Sequence, residues 1–282
     1  MATKKAGAKR SKARDPLRRV SAGLGWVRDL PDPRDYMFSA PVEVLKALPD
    51  KVDLKPQFSI YDQGRIGSCT ANALAGAIQF DRLKNKQSPD FVPSRLFIYF
   101  NERQIEGHVA NDAGAQIRDG IKTLNKLGVC PDKDWPYDDT PALYEGGPFP
   151  QNSKPAEKPD QASYHDARKY VITNYQRLTP TLSQLQGCLA AGFPFVFGFT
   201  VFASWYSKNP RPATISLPTS NDQAIGGHAV MCVGYDNETS LFKIRNSWGA
   251  SAGKSGYFFM PYVYLTSANL AADFWVINAV KD

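Results

Sequence analysis

Histidine and cysteine are scarce in this chain. Three histidines (His108, His165, His228) and four cysteines (Cys69, Cys130, Cys188, Cys232) are spread over 282 residues, with no CxxC or CxxxC spacing. No metal site is expected, because clustered zinc ligands are missing. If one cysteine is a working thiol, at most one disulfide can form among the other three. Sparse cysteine fits a reducing compartment or a fold that needs no staples. Long apolar runs are also missing: none approaches the roughly 18 residues that span a bilayer, so no membrane partner is expected. The basic N-terminus runs into Ser21-Ala22-Gly23-Leu24-Gly25-Trp26, which is not the apolar core of a secretory signal. The expected location is the cytoplasm, or outside it by a route that uses no such signal.

A charge imbalance is missing too, once the ends are separated. The net charge is +7, but residues 1–20 hold eight bases against Asp15 alone, leaving 26 of each sign in the remainder. Residues 1–20 read as a disordered basic tail. A solubility appendage is the favoured reading, and a tether to nucleic acid or another acidic surface is the sharper alternative. Nothing supports a cationic patch on the folded part.

What is present is apolar content for a large core, 43% hydrophobic and 12% aromatic. Residues 21–47 carry Trp26, Tyr36, Met37, Phe38 and Val42 among Pro31, Pro33 and Pro41. Such a segment should run extended and dock. From about 60 to 160 the pattern is helical. Cys69 to Leu83 is apolar nearly all round and should be buried; Ser94 can cap a helix carrying Leu96, Phe97 and Phe100; Ile117, Ile121 and Leu124 form a stripe that stops at Gly128. Residues 138–159 read as a linker or surface insertion. From about 165 to 282 strands dominate, apart from a helix near Leu182–Leu189. A helical part followed by a β-rich part suggests an α+β fold of two lobes with a cleft between them.

The chemistry gathers in three short stretches. Gln63-Gly64-Arg65-Ile66-Gly67-Ser68-Cys69 puts a thiol on the first turn of a helix, where the helix dipole favours thiolate. His228 lies in the strand-like Gly226-Gly227-His228-Ala229-Val230. Asn246 lies in Ile244-Arg245-Asn246-Ser247-Trp248-Gly249. A hairpin centred near residue 237 would set His228 opposite Asn246, Val230 opposite Ile244 and Cys232 opposite Phe242. That would bring imidazole and carboxamide within hydrogen-bonding reach. Taken singly, each residue has a duller reading: a buried core cysteine, a satisfied strand histidine, a strand-end asparagine.

Together, Gln63, Cys69, His228, Asn246 and Trp248 match one template in order and context. The chain from about 48 to 282 resembles the papain-like cysteine peptidases, whose Cys-His-Asn arrangement is a variant of the catalytic triad. The resemblance implies a helical lobe packed against an antiparallel, barrel-like β lobe. It makes Cys69 the nucleophile, His228 the acid/base and Asn246 the residue that orients the imidazole. Trp248 would shield that pair, and the Gln63 side chain with the Cys69 N–H would form an oxyanion hole. Trp135-Pro136-Tyr137 is also similar to the family's aromatic-Pro-Tyr. Gly114-Ala115 resembles the glycine pair that binds an extended peptide, and Gly227, Ala229 and Phe274-Trp275 would neighbour substrate. Departures are Thr70 in place of an aromatic, Ile66 in place of a disulfide cysteine, Gly227 before the histidine, and a longer interval, 159 residues, from Cys69 to His228.

The expected protein is thus a monomeric endopeptidase acting on peptide or protein substrates through a thioester, without metal or organic cofactor. The rivals are an amidase or acyl-transferase using the same triad, and a silent peptide-binding scaffold. Residues 21–47 are too few for the family's long helical prosegment. They are expected to lie partly over the cleft as a short inhibitory or chaperoning arm, or else to pack elsewhere as permanent structure.

Overall fold

The structure, a computed structural model, describes residues 23–281; the tail read over 1–20 lies outside them. Eight strands are present among the described residues. They are β1 (Met37–Phe38), β2 (Lys51–Asp53), β3 (Ile172–Leu178), β4 (Phe195–Phe202), β5 (Ala224–Asp236), β6 (Leu241–Arg245), β7 (Tyr257–Pro261) and β8 (Ala271–Val280). The α-helices are α1 (Val42–Lys46), α2 (Cys69–Lys84), α3 (Arg95–Glu106), α4 (Ile117–Leu127), α5 (Gln161–Ala167), α6 (Leu182–Ala190), α7 (Ala203–Tyr206) and α8 (Tyr262–Thr266). None is long and apolar enough to cross a membrane.

Local chemistry sets the helices of the first half. Ser94 accepts a hydrogen bond from the Phe97 N–H and donates to the Trp135 carbonyl, so one side chain both starts α3 and ties it to the following loop. Gly128 ends α4 at φ 77°. α2 is buried along most of its length because it packs between its companion helices and the sheet, against β5 and β8.

The strands form one sheet in the order β1-β3-β8-β4-β5-β6-β7, with β2 pairing the far end of β5. Along β5, Ala229, Met231 and Val233 join the cluster under α2, while Val230 and Cys232 join a second cluster with Phe195, Phe197 and Phe242. The sheet thus separates two apolar layers.

Four expectations need correcting. The sheet does not close into a barrel: β1 and β7 remain its two edges, and residues 213–215 cover β7 through backbone bonds to Phe259. The β5–β6 register pairs Met231 with Arg245, Cys232 with Ile244 and Asp236 with Leu241, with a shift between Cys232 and Gly234. The turn has four residues, with Ser240 at φ 55°, rather than being centred at 237. Asn246 therefore lies diagonally across from His228 rather than directly opposite it, while on its other side His228 pairs with Phe199 of β4. The arm is not extended throughout, since Pro41 opens α1. Of the two readings of residues 138–159, a linker and a surface insertion, the linker fails, because Phe149 is buried in the core and the Pro155 carbonyl accepts from the Arg103 guanidinium.

Replacing Ser94 by Ala removes the cap and leaves the Trp135 carbonyl without its donor. We expect unfolding free energy to fall by about 1–2 kcal/mol in urea titration. An unchanged midpoint would contradict this role.

Candidate active site

Cys69 is the first residue of α2 and is fully buried. α2 packs on β5, and Cys69 lies in the same buried cluster as Trp26 and Ala229, the residue after His228. The turn before it is braced from three sides. Asp112 accepts from the Gly67 N–H (2.9 Å) and from the Tyr99 hydroxyl. The Tyr137 hydroxyl bonds Ser68 Oγ (2.6 Å) and donates to the Gln63 carbonyl (2.9 Å). Thr70 donates to the buried Glu102 carboxyl (2.6 Å), so the polar residue at this position has a partner.

His228 Nε2 lies 2.7 Å from Asn246 Oδ1, which also accepts the Ser247 N–H at 2.8 Å. An oxygen with two such neighbours must be the acceptor, so Nε2 carries the proton. That leaves the lone pair on Nδ1, which is buried without a hydrogen-bond partner. Trp248 stacks on the imidazole at 4.6 Å and 27°, and Phe199 meets it edge-on at 5.7 Å. The slide of two residues in register keeps His228 and Asn246 on one face, and a diagonal pair is within side-chain reach.

The Gln63 amide is oriented by Ser247, whose hydroxyl donates to Oε1 at 2.7 Å. The amide nitrogen therefore points the other way, 3.0 Å from the carbonyls of Gly23 and Ile66. Two backbone bonds, Gln63 N–H to Ser247 carbonyl (2.8 Å) and Gly249 N–H to Tyr61 carbonyl (3.0 Å), join this loop to the Asn246-Ser247-Trp248 loop.

Residues 23–27 thread between Ala115 and Gly227. Ala115 N–H donates to the Gly25 carbonyl (2.8 Å), Val27 N–H to the Ala115 carbonyl (3.0 Å) and Trp26 N–H to the Gly227 carbonyl (3.0 Å). Backbone lies so close to backbone that a Cβ on Gly25 would sit 1.7 Å from the Gly67 carbonyl oxygen. One on Gly114, at φ 67°, would sit 2.0 Å from that of Gly25.

All the catalytic candidates read from sequence (Gln63, Cys69, His228, Asn246) are gathered here, with Trp248 over the imidazole. Gly114, Ala115, Gly227 and Ala229 border the threaded segment or the sulfur. Trp275 instead lies under the Arg118 and Arg177 guanidiniums, in the core. Sequence reasoning missed Ser247, Asp112, Tyr137 and Asp273, which bonds the Trp26 indole (3.0 Å). Only Ser247 and Tyr137 lay within quoted motifs, and neither motif showed what its side chain would touch. All four cysteines are free and buried.

Burial dominates the site's electrostatics. It pushes the Cys69 thiol up to about 12, against the opposing pull of the Ala229 and Gly25 N–H groups. It pushes the His228 imidazole down to about 4, against the Asn246 hydrogen bond. With residues 23–27 in place, both the thiol and the imidazole are neutral at pH 7.

A buried thiol at a helix start, an imidazole bonded to a carboxamide and a second oriented amide fit the class of thiol hydrolases, and comparison with known proteins supplies the family. Residues 48–272 match the papain family cysteine protease model. The chain is 38% identical, over 93% of its length and 89% of the relative's, to an uncharacterized peptidase C1-like protein of Acanthamoeba polyphaga mimivirus. It is 57% identical to the crystal structure of xylellain, a cysteine protease from Xylella fastidiosa. That match has a TM-score of 0.91 and covers 94% of this chain and 98% of the other. The procathepsin B S9 structure from Trypanosoma congolense shares the fold, at a TM-score of 0.64 and 19% identity, covering 86% of this chain and 81% of that one. The chain belongs to the papain family of cysteine proteases.

A thiol raised from about 9 to about 12 has a thiolate fraction at neutral pH about 10³-fold below that of an ordinary cysteine. In the full-length protein, iodoacetamide labelling of Cys69 at pH 7 should therefore be at least 100-fold slower than labelling of a free thiol. It should still be climbing at pH 10. Mass-mapped alkylation rates test this; rapid labelling with a plateau below pH 7 would contradict it.

Proposed function

We propose that the chain is a cysteine endopeptidase with a Cys69-His228-Asn246 triad and a Gln63 oxyanion donor, held inactive at rest by its own N-terminal arm. The observation that carries this reading is the occupation of the site. Residues 23–27 take the backbone bonds of Ala115 and Gly227, and the Gly23 carbonyl accepts from the one Gln63 donor that could meet a developing oxyanion.

The chemistry follows from the orientations above. With the arm out, water reaches the site and the penalty on the charged pair falls. His228 Nδ1 takes the Cys69 proton, and the thiolate attacks the peptide carbonyl carbon, forming the S–C bond. The oxyanion is met by Gln63 Nε2 and the Cys69 N–H. Imidazolium then protonates the departing amine as the C–N bond breaks, leaving a thioester. Water, deprotonated by His228, attacks that thioester; the acid product leaves and the thiol is restored. Asn246 keeps the proton on Nε2 throughout, and Trp248 excludes water from that hydrogen bond. Ala115 and Gly227 offer an incoming peptide the backbone partners that the arm now uses.

The arm is not itself placed for cutting. Its Gly25 carbonyl is engaged by the Ala115 N–H, and it pairs with Ala115 in parallel. An inhibitory strap that survives its own enzyme fits this arrangement.

Cys69→Ala should abolish peptide hydrolysis with an unchanged circular dichroism spectrum. Full activity in that variant would end the assignment. Separately, Gly25→Ala cannot seat the arm without moving the Gly67 backbone, so full-length Gly25→Ala should hydrolyse a fluorogenic peptide at least tenfold faster than the parent. Equal rates would remove the inhibitory role and leave the triad standing.

A further inference from the structure

Five charged side chains meet where the arm leaves the catalytic site, and they come from four separate segments. Asp29 and Asp35 belong to the arm, Arg118 to α4, Arg177 to β3 and Asp273 to β8. Arg177 bonds Asp29 Oδ1 (2.8 Å) and Asp273 Oδ1 (3.0 Å). Arg118 bonds Asp35 Oδ2 (2.6 Å) and lies 3.5 Å from Asp29 Oδ1. Asp273 Oδ2 accepts from the Trp26 indole (3.0 Å) and the Asp29 N–H (2.9 Å). At the rim, Asp32 and Arg34 pair with one another and add no net charge. Three acids therefore face two guanidiniums, and the side chains of Asp29 and Asp273 are 0% and 1% exposed. One positive charge is missing. In addition, Asp29 Oδ2 is buried with no donor, and Arg177 holds the Asp29 and Asp273 carboxyls next to one another by bonding both.

Resting on the arm reading above, we infer that Asp273 takes up a proton beside Asp29 and acts as a clasp that holds the arm in acid and slackens as pH rises. A proton on Asp273 gives Asp29 Oδ2 its donor and balances the cluster. Burial, with the Asp29 charge next in importance, raises the Asp273 carboxyl to about 7, against the pull of Arg177. When the arm departs, Asp29 goes with it and water enters. Asp273 then faces Arg177 in a wetter site and returns toward the ordinary value of about 3.9. The docked state thus holds the proton more tightly than the released state. The sign follows: the contribution to docking is complete below about pH 4 and is lost as pH rises through about 7.

For these values docking weakens about tenfold between pH 6 and pH 8.5, with little change beyond. The test uses the full-length chain and compares Cys69 alkylation by iodoacetamide in the parent and in Asp273→Asn. Asparagine keeps an acceptor, supplies the permanent donor and tolerates the positive φ (57°) of this position. Taking the ratio of the two rates at each pH cancels the titration of the thiol itself. The parent-to-variant ratio should rise about tenfold from pH 6 to pH 8.5. Asp29→Asn, which removes the repulsion from the other side, should give a rate profile parallel to that of Asp273→Asn. A flat ratio while Gly25→Ala still exposes Cys69 would overturn the clasp and keep the arm reading. No change in labelling with any of the three variants would overturn both.

Discussion

At Gly25 one stretch of backbone passes another with no room for a side chain. The carbonyl of Gly67 and the glycine at 114 leave a slot one backbone thick, and everything that distinguishes the resting site follows from filling it. The sulfur and the imidazole lie beneath that slot and are cut off from water. Their ionisation is therefore governed by desolvation rather than by mutual attraction or the start of α2. The helix dipole is present, but its effect is smaller than the cost of a charge with no solvent around it.

A second constraint is the single orientation available to each side-chain amide. Ser247 turns the Gln63 nitrogen toward the arm, and the Ser247 N–H turns the Asn246 oxygen toward His228. One residue thus sets both amides through two different atoms. The backbone bonds between the Gln63 and Trp248 loops keep the Gln63 amide in register with the Asn246–His228 pair. The geometry of the site is a property of this seam more than of either lobe alone.

Much of this was legible in the sequence, and the parts that were not share a cause. α2, the Ser94 cap and the Gly128 stop came from local pattern, which depends on nearest neighbours. His228 and Asn246 were expected on one face, and they are, because a slip of two residues preserves parity. The polar turn was legible but the register was not: the residue at which the turn opens and the bulge at Val233 leave no side-chain signature. Nor was the open sheet, which depends on how far apart its two edges end. The arm's apolar content predicted that it would dock, but not where, since a meeting of glycines shows only as missing side chains. Asp273 was invisible for a related reason: its partners lie at positions 26, 29 and 177, and no spacing rule connects them.

The segment that fills the slot is covalently joined to the protein it occupies. Its local concentration is set by the length of chain between Trp26 and the body of the fold, on the order of millimolar for short flexible connections, and does not change on dilution. Any chain that entered the slot would have to displace a segment whose local concentration stays the same however far the protein is diluted.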